Sequence, residues 1–208
     1  MKKLNNSRKK IYIITGSRSE YGYLKNLITK FKTFKKFNFK IIVTGSHLSK
    51  KHGYTINEIK KDKFKIYKKI NILDKNDNNQ GVLNSISKGL IKFSKLIQVG
   101  NPDLVILFGD RFEILSASIA SMVLRIPIIH IHGGEATEGL IDEPIRHSIS
   151  KMSHVHFVAT NEYRKRVIQL GENPNKVFCV GALCLDAIKS TELMNKNDLE
   201  RELNFKSL

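Results

Sequence analysis

Apolar residues along this chain fall into short β-branched runs that alternate with longer stretches at helical spacing. Residues 11–15 read as a first strand, followed by a helix carrying Tyr21, Leu24, Leu27, Ile28, Phe31 and Phe34. A second strand is expected at 39–44, a short helix at 54–61 and a strand or extended edge at 64–72. Residues 74–81 are polar and turn-rich and read as a loop. Val82, Leu83, Ile86, Leu90, Phe93 and Ile97 mark the next helix, before a strand at 104–108. A helix through Phe112, Leu115, Ile119 and Val123 is stopped by Pro127. Strands at 128–131, 155–159 and 177–180 are separated by a helix from Pro144 to Met152 and one at 162–170, closed by Gly171. This rhythm predicts an α/β fold: a Rossmann-like parallel sheet with helices on both faces. Residues 1–188 form the expected domain, and the polar stretch 189–208 reads as a linker or the start of a further helix, with Leu193, Leu199, Leu203 and Phe205 as its apolar points.

Chemistry gathers where the strands end. Ser17-Arg18-Ser19-Glu20, Ser46-His47, Asp110-Arg111 and the stretch from His130 to Glu135 all follow expected strands. In an open α/β sheet that is the ligand-binding edge. Neither G-x-G-x-x-G nor a P-loop occurs, which argues against ordinary dinucleotide or ATP binding. His130 and His132 invite a zinc reading, but no third ligand has suitable spacing, so no metal is expected. Standing alone, Asp110 reads as a helix cap; beside Arg111 and the other loops it reads as functional. Glu113 is expected to be a solvent or helix-pairing residue, Asp103 a turn cap, His154 and His156 packing or surface residues, and Arg164-Lys165-Arg166 a solvated face.

The formal net charge is +17, from 36 Lys and Arg against 19 Asp and Glu. The basic residues are scattered and no strand carries an aromatic platform, so nucleic acid is not expected as a partner. The charge would still draw in a diphosphate. No apolar run approaches membrane-spanning length, and the basic start, Met1 to Lys10, lacks a secretory apolar core. Cys179 and Cys184 lie in an apolar stretch and are expected to pack as small hydrophobes in a reducing, cytoplasmic compartment.

In order along the chain come Thr15-Gly-Ser-Arg-Ser-Glu-Tyr-Gly22, Thr44-Gly-Ser-His-Leu48, Gly109-Asp-Arg111, His130-Ile-His-Gly-Gly-Glu135 and Asp142-Glu-Pro-Ile-Arg-His147. Together they resemble the hydrolysing UDP-N-acetylglucosamine 2-epimerases of sialic- and legionaminic-acid synthesis, from about Lys10 to Ile188. The resemblance implies two Rossmann-like domains facing a cleft, as in the GT-B fold, of which this chain carries the first. It also implies a UDP-sugar ligand, a second domain that another chain would supply, a homo-oligomer when complete, and no cofactor. The fragment alone is expected to turn over negligibly. A non-catalytic sugar-nucleotide-binding module is the competing reading.

The implied reaction removes the C2 proton, expels UDP to leave a glycal, and adds water with C2 inverted. It needs acid–base groups at the sugar and cations or N–H donors at the diphosphate. Asp110, Glu135 and Asp142 are the carboxylates available from neighbouring loops. The resemblance places acid–base or substrate residues at Asp110 and Asp142, and a carboxylate at the position that His132 occupies here; either Glu135 or His132 takes the base role. Arg18 and Arg111 suit the diphosphate. Ser19 and His47 lie on loops that match substrate-contacting ones, and Arg146 and His147 are placed to orient Asp142.

Overall fold

The computed structural model describes residues 8–138, 141–191 and 193–204. Seven parallel strands form one sheet: β1 (Lys9–Thr15), β2 (Phe37–Thr44), β3 (Ile66–Ile70), β4 (Leu104–Phe108), β5 (Ile128–Ile131), β6 (Val155–Val158) and β7 (Val177–Cys179). Their spatial order is β3-β2-β1-β4-β5-β6-β7. The helices are α1 (Arg18–Thr33), α2 (Ile56–Lys61), α3 (Asn79–Gly100), α4 (Phe112–Val123), α5 (Asp142–Met152), α6 (Asn161–Gln169), α7 (Leu183–Lys189) and α8 (Lys196–Glu202).

The strands read as unbroken apolar runs because both of their faces are covered. Tyr12, Ile14, Ile42, Val105, Leu107 and Ile128 pack with Phe93 and Ile97 of α3, Ile114 and Ala117 of α4, and Ile149 of α5. Their sequence neighbours Ile11, Ile13, Ile41, Val43 and Ile106 pack oppositely, on Leu24 and Ile28 of α1 and Ile56 and Ile59 of α2. Successive strand residues alternate between faces, so each run feeds two cores. Right-handed crossovers then fix the layers, since β1 to β3 build one way and β4 to β7 the other. The direction reverses between β1 and β4, and a crevice opens beyond their carboxyl ends.

Local signals set the helix starts. Ser17 caps α1 by accepting from Glu20 N, Asn78 caps α3 from Gly81 N at 2.9 Å, and Thr160 caps α6 from Tyr163 N at 3.2 Å. The Asn78 cap starts α3 inside the stretch expected to be a loop. Phe34 falls just beyond α1 and is exposed, because the helix stops at Thr33.

Several expectations are completed or corrected. Leu183–Lys189 forms α7, which packs on α1, with Asn26 Nδ2 donating to Ser190 Oγ at 3.1 Å. The cysteines are not core residues: Cys179, at the end of the edge strand β7, is exposed, and Cys184, on α7, is half-buried. Asp103 accepts from Lys10 N at 2.8 Å and thus ties β4 to β1. Arg164 is no solvated face residue, since Nε donates to Val177 O at 2.9 Å, and Arg166 reaches Gly134 O. His156 is buried and its neighbour His154 accepts from Ile128 N at 3.3 Å. Met1 to Ser7 and Phe205 lie outside the described residues. Among the described residues, no helix is long and apolar enough to cross a membrane.

Candidate functional site

The crevice is a cleft of about 580 Å³ walled by the loops after β1, β4, β5 and β6 and by the start of α7. Ser19, Asp110, Arg111, His132, Glu135, Asp142 and Arg146 line it, so seven of the residues expected from sequence share one cavity. Glu20, Tyr23, Phe108, Thr160, Tyr163 and Cys184 join them. Glu20 stood within the motif after β1, and Thr160 follows β6 as the other polar clusters follow their strands, so the strand-end rule reaches both.

The loop after β5 is held by its own histidines. His130 is fully buried, and its Nε2 must carry the proton it gives to Gly109 O at 2.8 Å; Nδ1 then accepts from Ser150 at 3.1 Å. Burial pushes its pKa down to about 4, so it is neutral and structural. His132 adopts a left-handed φ of 64° that turns the chain out of β5. Its ring lies parallel to Tyr23 at 6.3 Å and against Phe108 at 4.8 Å. Leu183 N approaches Nε2 at 3.4 Å, which leaves the proton on Nδ1, 2.8 Å from Glu135 Oε1. The two residues between which the base role lay open therefore form one hydrogen-bonded pair.

Arg146 sits beneath the opposite wall. It donates to Asp110 Oδ2, to Glu135 O at 2.9 Å and to Thr137 Oγ1 at 2.9 Å. One buried guanidinium thus joins the loops after β4 and β5. This corrects the expected pairing, in which Arg146 orients Asp142. Asp142 stands at the first position of α5 and faces the cleft. His147 reaches Glu143 at 3.6 Å rather than Asp142, because one residue along the helix turns it off the cleft wall.

Two more expected contacts are redirected. Arg18 points outward, with a 74% exposed side chain whose Nε pairs with Glu58 at 2.9 Å. It borders a separate cavity between α1 and α7. His47 is 0% exposed, held between Thr15 Oγ1 at 3.2 Å and Thr55 Oγ1 at 2.8 Å. Burial lowers its pKa to about 4. It supports the loops from below and does not line the cleft.

Beneath the cleft floor lies a charge cluster. Arg111 grips Glu113 twice, Nη2 to Oε1 at 2.9 Å and Nε to Oε2 at 3.2 Å. Glu113 is fully buried, which corrects its reading as a solvent residue. Gly45 makes room for it: with φ of 57°, a Cβ there would collide with the Glu113 carboxylate and stand 2.7 Å from Gly16 O. Glu20, 4% exposed, is the second carboxylate beside Arg111, at 4.0 Å. Among the described residues, no group of three or more His, Cys, Asp or Glu side chains is placed to hold a metal ion.

Comparison with known proteins gives the family and the fold. The family model described as UDP-N-acetylglucosamine 2-epimerase matches residues 29–207. The hydrolysing GDP/UDP-N,N'-diacetylbacillosamine 2-epimerase of Campylobacter jejuni is 44% identical, over 96% of this chain and 52% of its own length. The polysialic acid biosynthesis protein P7 of Escherichia coli is 43% identical, over 92% and 49%. The UDP-N,N'-diacetylbacillosamine 2-epimerase of Legionella pneumophila is 38% identical, over 95% and 52%. The chain spans about half the length of these curated relatives. A crystal structure of a Neisseria meningitidis UDP-GlcNAc 2-epimerase bound to UDP-GlcNAc superposes with a TM-score of 0.79 at 20% identity, covering 95% of this chain and 54% of that one, which establishes the shared fold. By sequence and by fold, this chain belongs to the UDP-N-acetylglucosamine 2-epimerase family.

Proposed function

We propose that the cleft is the sugar-and-diphosphate half of a hydrolysing UDP-sugar 2-epimerase site, completed by a second domain. The observation that carries this reading is the convergence of Asp110, Glu135 and Asp142 on one cleft whose floor and wall hold Arg111 and Arg146. Glu135 takes the C2 proton. His132 fixes one of its oxygens through Nδ1–H, which leaves the other for the substrate. Asp142 and Asp110, on two different walls, supply the acid that protonates C2 from the opposite face and the group that orients water toward C1. Arg111 stabilises the departing diphosphate. Loss of the C2 proton and of UDP gives the glycal; addition of water across its double bond releases the inverted 2-acetamido sugar. Atoms balance as substrate plus water to sugar plus UDP.

The substrate is a UDP-2-acetamido sugar. Relatives named for UDP-N,N'-diacetylbacillosamine are 44% and 38% identical, against 32% for a Neisseria meningitidis UDP-N-acetylglucosamine 2-epimerase. Both sugars therefore belong in the assay. The experiment incubates the chain with each UDP-sugar and follows UDP release, alone and with the C-terminal half of the Campylobacter relative. Release that requires the added half supports the reading. Release by neither arrangement transfers the weight to a non-catalytic sugar-nucleotide module.

A further inference from the structure

Two buried carboxylates face a single guanidinium under the cleft. Arg111 spends Nε and Nη2 on Glu113, and Glu20 is left at 4.0 Å. Glu20 Oε2 accepts from Gly16 N at 2.5 Å, whereas Oε1 is buried without a hydrogen-bond partner. Glu20 is also a cleft-lining residue, in the first turn of α1. An orphaned polar atom under a ligand cavity is costly unless something in that cavity satisfies it.

The surrounding charges decide which form Glu20 takes. On its own element the near groups are the Ser17 and Ser19 hydroxyls, with Arg18 turned away to Glu58. From the loop after β4 and the start of α4 come Arg111 and Glu113; from the loop after β2 comes His47, which burial keeps neutral. Asp110, next to Arg111 in the loop after β4, and Asp142 also line the cleft, and Asp142 acts on Arg111. One cation therefore answers to several carboxylates. A second ionised carboxylate would leave the buried cluster with net negative charge, directly where an anionic ligand must sit.

We propose that Glu20 is a ligand-binding residue that acts as the neutral acid, its carboxyl O–H donating to a diphosphate oxygen held at Arg111, so that the bound state requires a proton on Glu20. The inference rests on the reading of the cleft as a UDP-sugar site. A carboxylate in this position repels the diphosphate; a carboxylic acid donates to it. Burial, reinforced by Glu113, lifts the Glu20 pKa to about 8, against the pull of Gly16 N–H and Arg111, which places the switch within reach of ordinary buffers.

The test measures binding of UDP-N-acetylglucosamine to the intact chain at pH 6.5 and pH 8.5 by NMR titration. Its diphosphate is esterified at both ends and keeps one charge state over this range. With a titration near pH 8, about a quarter of the protein stays competent at pH 8.5, so Kd should weaken about fourfold. Glu20→Gln keeps the acceptor for Gly16 and an N–H donor toward the cleft but cannot ionise, and its Kd should be the same at both pH values. Thermal unfolding of both proteins at both pH values checks that each remains folded. Wild-type binding that does not change with pH, or a Glu20→Gln variant with the same fourfold dependence, overturns the role of Glu20 and leaves the UDP-sugar reading standing. Absence of binding at both pH values overturns both.

Discussion

Replacing Arg146 with Met is the sharpest perturbation of the framework behind the cleft. The methionine keeps most of the apolar stem but deletes the guanidinium that joins Asp110, Glu135 O and Thr137 Oγ1. Breaking a buried ion pair costs about 3–5 kcal/mol because the remaining charge is stranded. The Asp110 side chain is 22% exposed, so water recovers part of that cost. Each of the two lost hydrogen bonds to neutral oxygens adds about 1 kcal/mol where the acceptor stays dry. A net loss of about 3 kcal/mol follows, which for a chain of this size lowers Tm by roughly 6–12 °C. The assay is thermal unfolding of wild type, Arg146→Met, Asp110→Asn and the double variant. Asp110→Asn removes the stranded charge, so the double variant should regain at least about 1 kcal/mol relative to the sum of the singles. A Tm within about 2 °C of wild type, or strict additivity, would refute the claim that one guanidinium holds the two walls together.

Other outcomes follow from the same geometry. Gly45→Ala places a Cβ against the Glu113 carboxylate at a left-handed φ of 57°, so it should cost more than about 2 kcal/mol in denaturant melts, whereas Gly22→Ala, with open space around it, should be neutral or stabilising. His47 and His130 have folded pKa values pushed down to about 4. The unfolded chain therefore binds more protons at these two sites as pH falls, and Tm should decline from about pH 6.5 toward pH 4; a flat profile over that range counts against their burial. Glu20 has the opposite sense, with a folded pKa raised to about 8 from an ordinary 4.5, so Glu20→Gln should gain stability over wild type as pH rises through that window. In a complete enzyme carrying this half, Asp110→Asn and Asp142→Asn should each lower kcat by at least about a hundredfold with circular dichroism unchanged. Wild-type rates in both would remove them from the acid–base chemistry.

Much of the architecture was legible because burial on both faces writes a strand as a continuous apolar run. The strand ends then carried the polar residues that the reversal between β1 and β4 gathers into one cleft. Sequence reading faltered where partners come from distant loops. Arg146 lies one helical turn from Asp142 but spends its charge on Asp110, a pairing across 36 positions that no local pattern encodes. His47 sits in a motif with a histidine's chemistry, yet two threonines enclose it and burial removes it from the ligand's reach. Glu113 resembles an ordinary acidic residue in a helix's first turn; only the room left by Gly45 reveals that it lies under the loops. The cysteines depart from expectation because β7 is the edge strand of the sheet, which leaves Cys179 at its end exposed, and Cys184 lies on α7 at the cleft's margin.

In the proposed reaction this cleft abstracts the C2 proton of a UDP-sugar through Glu135. The most direct measurement joins this chain to the C-terminal half of its Campylobacter relative and runs the reaction in D2O, with mass analysis of the released sugar. The expected result is UDP release with one deuterium at C2 of the inverted product, and loss of both with Glu135→Gln. UDP release with the original hydrogen retained at C2, or full activity in Glu135→Gln, would contradict it.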